Sequence, residues 1–414
     1  MKRWMILLLG IVLIVSACST NKNTNKGIDE RIIWKEQPES PLVDSDKEIQ
    51  MEQVLREQPG QFAGRRFNQT DLQKAMDQFP QKMPANEAYK RLRQLLAEDY
   101  QSFIEKMQQV QLFSDRSTFK GTSPLPINVV ILLDASARMK EQVEGKEKIW
   151  YVKEAMKQFA AILPPSAQVS LRIFGHKGTG QIADQSISCR TTESVYPLNR
   201  YHPQQFQSAL SRVQPSGGAP MAKAMMDAGQ EMRPAPLNVV YVISTGKDTC
   251  KGDPVEAAKK LQTQHKAKVH IIGFQVKTEE QNALQSIAKE GGGNFVHVDH
   301  PLRLQLQLEQ EATQLWLQSN QFNKQDWEQL QLDADRKLAT LGVLRSQLFQ
   351  IVLQERNRML EAAKYLSNQD KVLSGEEFRL FQMIMTRGRL MENVAEMIFT
   401  EKKKLLRSIR NDKP

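Results

Sequence analysis

The sequence predicts an α/β domain of the doubly wound type, with a mostly parallel sheet, in the middle of the chain. Short apolar runs rich in β-branched residues occur at 127–134, 237–243 and 269–274, which is typical of strands that are buried on both faces of a parallel sheet. Segments with helical spacing separate these runs, and strands that alternate with helices indicate right-handed crossovers. We therefore expect one α/β domain over residues 120–300.

The first apolar run ends at the predicted functional edge of this sheet. Asp134 and Ser136 follow directly after the buried residues of that run, and the second run ends in Ser244, Thr245 and Gly246. Open α/β sheets place their sites at the carboxyl ends of their strands. The sequence therefore predicts a functional site at this edge of the sheet.

These motifs resemble the von Willebrand factor type A (vWA) family. The resemblance rests on Asp134-x-Ser136 after a strand, on Gly-Gly-Ala-Pro-Met at 217–221 before a helix, and on 244–246 after another strand. It implies a Rossmann-like fold with a metal-ion-dependent adhesion site, whose family pattern is Asp-x-Ser-x-Ser, a Thr before Pro and an Asp before Gly. A bacterial lipoprotein branch of the family is similar in three further stretches, at 172–178, 195–198 and 248–254.

The adhesion-site pattern is degenerate in this sequence. Asp134 and Ser136 match it, whereas Arg138, Ala219 and Thr245 stand where the family has Ser, Thr and Asp. Mg²⁺ is the cofactor that the intact pattern would imply, and it needs a near-octahedral set of oxygen ligands. A guanidinium beside Asp134 can neutralise that carboxylate in place of a cation. We predict a MIDAS-like site that holds no metal or other cofactor, with Arg138 paired to Asp134.

Asp248, in the loop after Thr245, is the one spare carboxylate that could supply a ligand. The alternative is a loop residue whose carboxylate is satisfied by backbone amides, which the sequence favours.

The first 50 residues predict a lipid anchor. Residues 1–17 have the basic start and short apolar body of a secretory signal peptide, and this body is too short for a spanning helix. The small residues before Cys18 resemble a bacterial lipobox, which implies a Cys18 acylated by palmitate-type chains; an ordinary leader with an incidental cysteine is the alternative. Residues 18–50 are polar and predict a flexible tether. We expect a bacterial, extracytoplasmic protein that is lipid-anchored at the cell membrane.

Two cysteines remain for a disulfide bond once Cys18 is assigned to the anchor. Cys189 and Cys250 both follow predicted strands, at the same edge of the sheet. An even pair in an oxidising compartment favours a disulfide over two free thiols.

Helical segments flank the α/β domain. Residues 51–119 carry an apolar stripe, which we expect to pack against the α/β domain or the C-terminal helices. Residues 302–413 contain no proline, as expected of long helices. A polar break at 367–370 predicts that residues 301–414 form an antiparallel hairpin with coiled-coil character. Each arm would be roughly 50–60 Å long. The hairpin could be a stalk or platform, or a docking surface for a partner.

Composition and motifs together predict a non-enzymatic module that binds an extracytoplasmic protein, in adhesion or scaffolding. A formal net charge of +10 also suits an envelope-assembly factor that binds an anionic wall polymer. No basic run with interleaved aromatic residues supports nucleic-acid binding. A hydrolase built from Asp134, Ser136 and His176 or His202 is a remote alternative, because Ser136 is not in a nucleophile-elbow pattern.

Overall fold

The structure is a computed structural model that describes most of the chain beyond residue 50. The predicted signal peptide, the Cys18 anchor and the tether lie outside the described residues. These residues are 51–111, 113, 124–179, 181–320 and 322–411.

A mostly parallel, six-stranded sheet forms the centre of the fold. Its strands are β1 (Ile127–Asp134), β4 (Ala167–Phe174), β5 (Thr192–Arg200), β6 (Leu237–Ser244), β7 (Ala267–Phe274) and β8 (Gly292–Val298). Their spatial order is β5-β4-β1-β6-β7-β8, and only β5 pairs antiparallel. A small hairpin of β2 (Gln142–Val143) and β3 (Lys146–Glu147) stands apart from this sheet.

Helices surround the sheet and continue beyond it on the C-terminal side. The N-terminal set is α1 (Met51–Leu55), α2 (Gln69–Asp77), α3 (Ala85–Leu96) and α4 (Tyr100–Gln109). The sheet carries α5 (Lys148–Ala161), α6 (Gln185–Arg190), α7 (Pro203–Ser211), α8 (Met221–Glu231), α9 (Pro254–His265), α10 (Thr278–Glu290) and α11 (Pro301–Ser319). The last two are α12 (Lys324–Asn368) and α13 (Glu377–Asn411).

Strand β1 lies between β4 and β6, and all of its residues are buried. Its single polar residue before the carboxyl end, Asn128, donates to Asn238 Oδ1 at 2.9 Å and to the Arg233 carbonyl at 2.7 Å. Because a buried amide needs hydrogen-bond partners, this pairing between neighbouring strands lets a polar residue sit inside an otherwise apolar run. The prediction of a central, doubly buried strand is confirmed.

The two faces of the sheet bury separate apolar cores. One core is covered by α5, α7 and α11, with Phe159 and Leu308 among its buried residues. The other is covered by α8, α9 and α10, with Met225 and Leu261 among its buried residues. Helices on both faces of a parallel sheet define the doubly wound α/β class, so the predicted fold class is confirmed.

Helix α11 belongs to the sheet rather than to the C-terminal hairpin. Leu304, Leu308, Ala312 and Leu315 are buried in the core on the α5 side of the sheet. The predicted boundary between residues 300 and 301 therefore falls ahead of the last helix of the α/β domain, and the hairpin itself begins at Lys324. The change in composition after Pro301 gave no sign of this, because α11 is also rich in Leu and Gln.

Helices α12 and α13 form an antiparallel hairpin that packs on the N-terminal helices. Ion pairs join Arg345 to Glu396 and Glu355 to Arg387. Residue numbers therefore increase along α12 as they decrease along α13, which shows that the two helices are antiparallel. A third apolar core lies between this hairpin and α3 and α4, as the N-terminal stripe predicts. None of the described helices is both long enough and apolar enough to span a membrane.

We expect His270 to make the fold less stable in mild acid. The ring of His270, in β7, stacks on Tyr241 of the neighbouring strand β6. Burial, with repulsion from Lys268, lowers the pKa of His270 to about 4. The unfolded chain takes up a proton near pH 6.5, whereas the folded protein does so only near pH 4. The contribution of the neutral His270 to stability is therefore complete above pH 6.5 and is lost as pH falls from about 6.5 to 4. At ~1.4 kcal/mol per unit of pKa shift, the free energy of unfolding should fall by up to about 3 kcal/mol over this pH range.

The check is urea unfolding of the wild type and of His270→Gln at pH 7 and at pH 4.5. The stability difference between the two pH values should be smaller in the variant. Equal pH dependence in both proteins would contradict the expectation.

Candidate functional site at the carboxyl edge of the sheet

A cleft of about 210 Å³ opens at the carboxyl edge of the sheet. It is built by the loop after β1, by α6, by the loop before α8 and by the loop after β6. The sequence predicted the site at this edge. The lining residues are Asp134, Ser136, Ala137, Arg138, Gln185, Gly217, Gly218, Ala219, Gly246, Lys247 and Thr249.

Asp134 is at the bottom of the cleft and is only 1% exposed. Its Oδ1 accepts from the Ser136 amide at 2.8 Å, and its Oδ2 accepts from the Ser244 hydroxyl at 2.7 Å. The Thr245 amide also donates to Oδ2, at 3.3 Å. Hydrogen bonds to a carboxylate stabilise its charged form. Asp134 is therefore compensated by its own loop and by the neighbouring strand end.

Arg138 pairs with Glu280 rather than with Asp134, which corrects the pairing expected from sequence. Its Nη1 lies 2.6 Å from Glu280 Oε2 and its Nη2 lies 3.1 Å from Oε1. The hydrogen bond to Glu280 raises the pKa of Arg138. A short 3₁₀ turn, Ala137–Lys140, carries the guanidinium toward the first turn of α10, where Glu280 lies. Asp134, which already accepts several hydrogen bonds, does not need it.

The ion pair lies directly against Gly246. A Cβ at this position would be 2.0 Å from Arg138 Nη1 and 2.6 Å from Glu280 Oε2. Glycine is therefore the residue that leaves room for the pair. The loop after β6, where the family has an Asp before Gly, is thus closely packed with the guanidinium in this chain.

The residues of the cleft do not fit the divalent cation that the fold family implies. Ala219 has no ligating oxygen on its side chain, and the Arg138 guanidinium, which brings a positive charge, is held at Gly246. Thr249 Oγ1 accepts from the Ala219 amide at 2.7 Å, so a hydroxyl of the third loop is committed to the second loop. In the described part of the chain, no cluster of three or more His, Cys, Asp or Glu residues could hold a metal ion.

Asp248 is a loop residue satisfied by backbone amides, as the sequence favours. Its Oδ2 accepts from the Ala222 amide at 2.9 Å and its Oδ1 accepts from the Cys250 amide at 2.6 Å. The first bond connects the loop after β6 to the start of α8. Because both carboxylate oxygens are engaged, Asp248 is a structural residue of the cleft wall.

The predicted disulfide between Cys189 and Cys250 is confirmed, with 5.3 Å between the Cα atoms. It fastens α6 to the loop after β6. Next to it, Gln185 Nε2 donates to the Thr249 carbonyl at 3.0 Å, and Ser188 Oγ donates to the Lys177 carbonyl at 2.6 Å. The bond therefore fixes the cleft wall that carries Gln185.

The structure does not assemble the alternative hydrolytic set. The Ser136 hydroxyl is buried and has no hydrogen-bond partner among the described residues. His176 Nε2 lies 3.2 Å from Glu193, and burial lowers the pKa of His176. His202 precedes α7, and its amide donates to the Tyr196 hydroxyl at 3.0 Å. Neither histidine is hydrogen-bonded to Ser136, so no general base is paired with that hydroxyl here.

Several residues of the site were not identified from the sequence. Ser244 and Thr249 lie in stretches that resemble the family, but their contacts depend on how the loops pack. Glu280 is 142 positions from Arg138, so no local spacing pointed to it. Gln185 and Lys247 are polar loop residues of a type that occurs throughout the chain.

The comparisons with known proteins agree with this architecture. The family model of the von Willebrand factor type A domain matches residues 128–311. The uncharacterized protein YwmD of Bacillus subtilis (strain 168) is 33% identical over 199 residues, which is 47% of this chain and 89% of YwmD. YwmC of the same organism is 34% identical over 173 residues, 41% of this chain and 76% of YwmC. The chain belongs to the von Willebrand factor type A domain family.

Among solved structures, the conserved hypothetical protein BatB from Bacteroides thetaiotaomicron is similar to this chain. It has 19% sequence identity and a TM-score of 0.37, over 46% of this chain and 99% of BatB. The helical hairpin, which starts at Lys324, lies beyond the residues that the family model matches.

We expect Arg138→Ser to destabilise the protein by about 2 kcal/mol. Glu280 would remain in the cleft with only 6% of its side chain exposed and without its partner. Breaking a fully buried pair costs about 3–5 kcal/mol, and we expect less because the Arg138 side chain is 35% exposed. Millimolar Mg²⁺ should restore part of the loss, because the variant has an additional hydroxyl and an unpaired carboxylate there.

The measurement is urea unfolding with and without Mg²⁺. The matched control is Lys157→Ser, which breaks the half-exposed pair with Glu154 and should cost at most about 0.5 kcal/mol. An Arg138→Ser protein as stable as the wild type would show that the pair does not stabilise the cleft.

Proposed function

We propose that this chain is a membrane-anchored, extracytoplasmic lipoprotein whose vWA domain binds a protein partner through the cleft. In this proposal, binding needs neither a metal ion nor catalysis. The helical part presents the domain or assembles with other proteins. The protein is thus an adhesion or scaffolding module of the bacterial cell surface.

The bidentate pair between Arg138 and Glu280 carries the metal-independent part of this proposal. The guanidinium over Gly246 compensates the buried Glu280 carboxylate, as a cation would otherwise have to do in the cleft. It does so with no dependence on the ambient Mg²⁺ concentration. A partner side chain can then be recognised by direct hydrogen bonds and charge, rather than by ligation of an ion.

The lining residues favour an acidic side chain of the partner. Lys247 is exposed at the cleft and has no ion-pair partner in the described part of the chain. Ser136 is 3% exposed, and its buried hydroxyl has no hydrogen-bond partner among the described residues. It lines the same cleft as an unpaired donor. A carboxylate that entered the cleft would satisfy this hydroxyl, and Lys247 would balance its charge.

The test is affinity capture from detergent-solubilised membranes, with the full chain as bait and with either EDTA or Mg²⁺ present. We expect the same partner in both conditions, and we expect its loss with Ser136→Ala/Lys247→Ala bait. Lys289→Ala, which removes an exposed lysine of α10 outside the cleft, is the control and should retain the partner. Capture that EDTA abolishes would contradict the metal-independent mode.

The lipid anchor is tested separately. Cys18→Ala should leave the chain without acyl chains, so the protein should leave the membrane fraction or accumulate as precursor. Fractionation and mass spectrometry of the N-terminal peptide provide the measurement. Membrane retention and peptide mass that match those of the wild type would exclude acylation at Cys18.

An anionic wall polymer is the second candidate ligand. The net charge of +10 and the unpaired Lys247 at the cleft favour it. Exposed charge attraction is screened within about 8–10 Å at ordinary ionic strength. Binding to a polymer should therefore fall steeply between low and moderate salt, whereas a protein partner held in the cleft should be less sensitive.

A further inference from the structure

The exposed face of α12 carries few charges. We define the outer face of α12 as its exposed positions from 332 to 368. Between Ala339 and Asn357, none of these positions is charged, and Val343 and Leu353 are 57% and 38% exposed. A surface that is depleted in charge and includes apolar side chains is typical of the centre of a protein interface. The exposed residues of this stretch are Ala339, Thr340, Val343, Ser346, Gln347, Gln350, Leu353, Gln354 and Asn357.

Four charged residues flank this uncharged stretch, two at each end. They are Asp335 and Arg336 on one side, and Glu361 and Lys364 on the other. All four are exposed. These four residues form no ion pair within the described chain, unlike the other charged residues of α12 beyond its first turn. The others form the pairs 324–328, 333–337, 345–396, 355–387, 356–392 and 358–98.

The four charges are arranged with near symmetry about residue 349. At ~100° per residue, Asp335 and Lys364 lie on one flank of the outer face, and Arg336 and Glu361 lie on the other. A twofold axis that crosses the face near residue 349 therefore brings Asp335 of one copy opposite Lys364 of the other. The same axis brings Arg336 opposite Glu361. This self-complementarity is what an isologous interface requires, and the like charges fall on opposite flanks.

We infer that the outer face of α12 is a dimer interface, on which a second copy of this chain packs antiparallel. This inference goes beyond the proposed function of the cleft and does not depend on it. The contact from 335 to 364 is about 45 Å long at ~1.5 Å per residue. One helix pair of this length buries less than the ~800 Å² per partner of a standard interface, so the dimer is reversible and depends on concentration.

Cysteine crosslinking tests the register of the dimer. In the full chain with Cys18→Ala, Gln350→Cys places a thiol on the midline of the face, close to the twofold axis. Asn368→Cys places one on the same face at the end of the helix. Under mild oxidation, we expect Gln350→Cys to form a disulfide-linked dimer at least tenfold faster than Asn368→Cys. Equal rates, or no dimer from either, would overturn the register.

Charge reversal tests the complementarity. By sedimentation equilibrium of the full chain, Arg336→Glu should weaken the dimer about tenfold. The double variant Arg336→Glu/Glu361→Arg should restore it, because the swapped charges meet again across the axis. Lys289→Glu, outside the face, should have no effect. Failure of the double variant to recover affinity would exclude this arrangement.

Apolar contact is tested by a matched pair of substitutions. Leu353→Asp lies within the outer face, and Leu373→Asp lies between α12 and α13; the two leucines are 38% and 43% exposed. We expect Leu353→Asp to abolish the dimer, whereas Leu373→Asp should leave it intact. A wild-type chain that stays monomeric at the highest attainable concentration would overturn the inference, as would a dimer that both substitutions affect equally.

Discussion

Lys402→Met is expected to lower the free energy of unfolding by about 3–5 kcal/mol. The Lys402 ammonium is buried on α13, with both Glu309 carboxylate oxygens at 2.7 Å. It also donates to the carbonyls of Gln108 and Val110, at 3.0 and 2.9 Å. Burial raises the pKa of Glu309 and lowers the pKa of Lys402. Without the ammonium, a buried carboxylate and two carbonyls lose their partner, and urea unfolding at pH 7 measures the cost.

The loss should shrink in acid. The pKa of Glu309 is raised, so the folded protein binds a proton that the unfolded chain releases above about pH 4.5. Stability in Lys402→Met is therefore regained as pH falls through that raised pKa toward 4.5. The double variant Lys402→Met/Glu309→Met should be within about 1 kcal/mol of the wild type, because an apolar replacement leaves no buried charge.

The exposed pair of Lys404 and Glu401 provides a control on the same helix. The Lys404 side chain is 64% exposed, so Lys404→Met should cost no more than about 0.5 kcal/mol. If Lys402→Met were as mild as this control, the buried pair would not stabilise the contact. That contact joins the end of α4, α11 of the vWA domain and α13 of the hairpin.

The sequence predicts the centre of the vWA domain because local patterns determine it. The run of apolar residues in β1 is buried throughout, and its carboxyl end places Asp134 and Ser136 in the cleft. Burial on both faces of a parallel sheet imposes a continuous apolar run, so this strand is visible in the sequence without any structure. The disulfide between Cys189 and Cys250 is predictable from the expected oxidising compartment and from the sheet edge that the two cysteines share.

The partner of Arg138 was not predictable in the same way. Sequence proximity favoured Asp134, which is four positions away, but Asp134 accepts hydrogen bonds from Ser136 and Ser244. Glu280 meets Arg138 only because α10 packs beside the loop after β6. A contact between residues so distant in sequence depends on the packing of whole elements, which a single sequence does not reveal.

The limit of the α/β domain was misplaced for a related reason. Helix α11 has the Leu-rich and Gln-rich composition of the hairpin, yet its leucines enter the core on the α5 side of the sheet. Helical periodicity shows that a helix has an apolar face, and it does not show which neighbour that face covers. The apolar stripe of the N-terminal helices packs against the C-terminal helices, which are one of the two neighbours that the sequence predicts for it.

Arg387→Met is also expected to lower the free energy of unfolding by about 3–5 kcal/mol, because it too leaves a buried carboxylate without its partner. Arg387 is 1% exposed, and its Nε lies 2.5 Å from Glu355 Oε1. Its Nη1 lies 2.6 Å from Glu57 Oε2, and its guanidinium faces the ring of Tyr100 at 5.5 Å. The variant leaves the Glu355 carboxylate, which is 2% exposed, without its positive partner.

Arg387→Lys separates charge from geometry. An ammonium keeps the positive charge but cannot reproduce the planar fork that reaches Glu355 and Glu57 together. We therefore expect the free energy of unfolding of Arg387→Lys to lie between those of the wild type and Arg387→Met. Arg389→Met, an exposed neighbour whose partner is the Thr386 hydroxyl, should be within about 0.5 kcal/mol of the wild type. Equal stability of Arg387→Met and Arg389→Met in urea would contradict the role of this ion pair, which connects the segment after α1 with both helices of the hairpin.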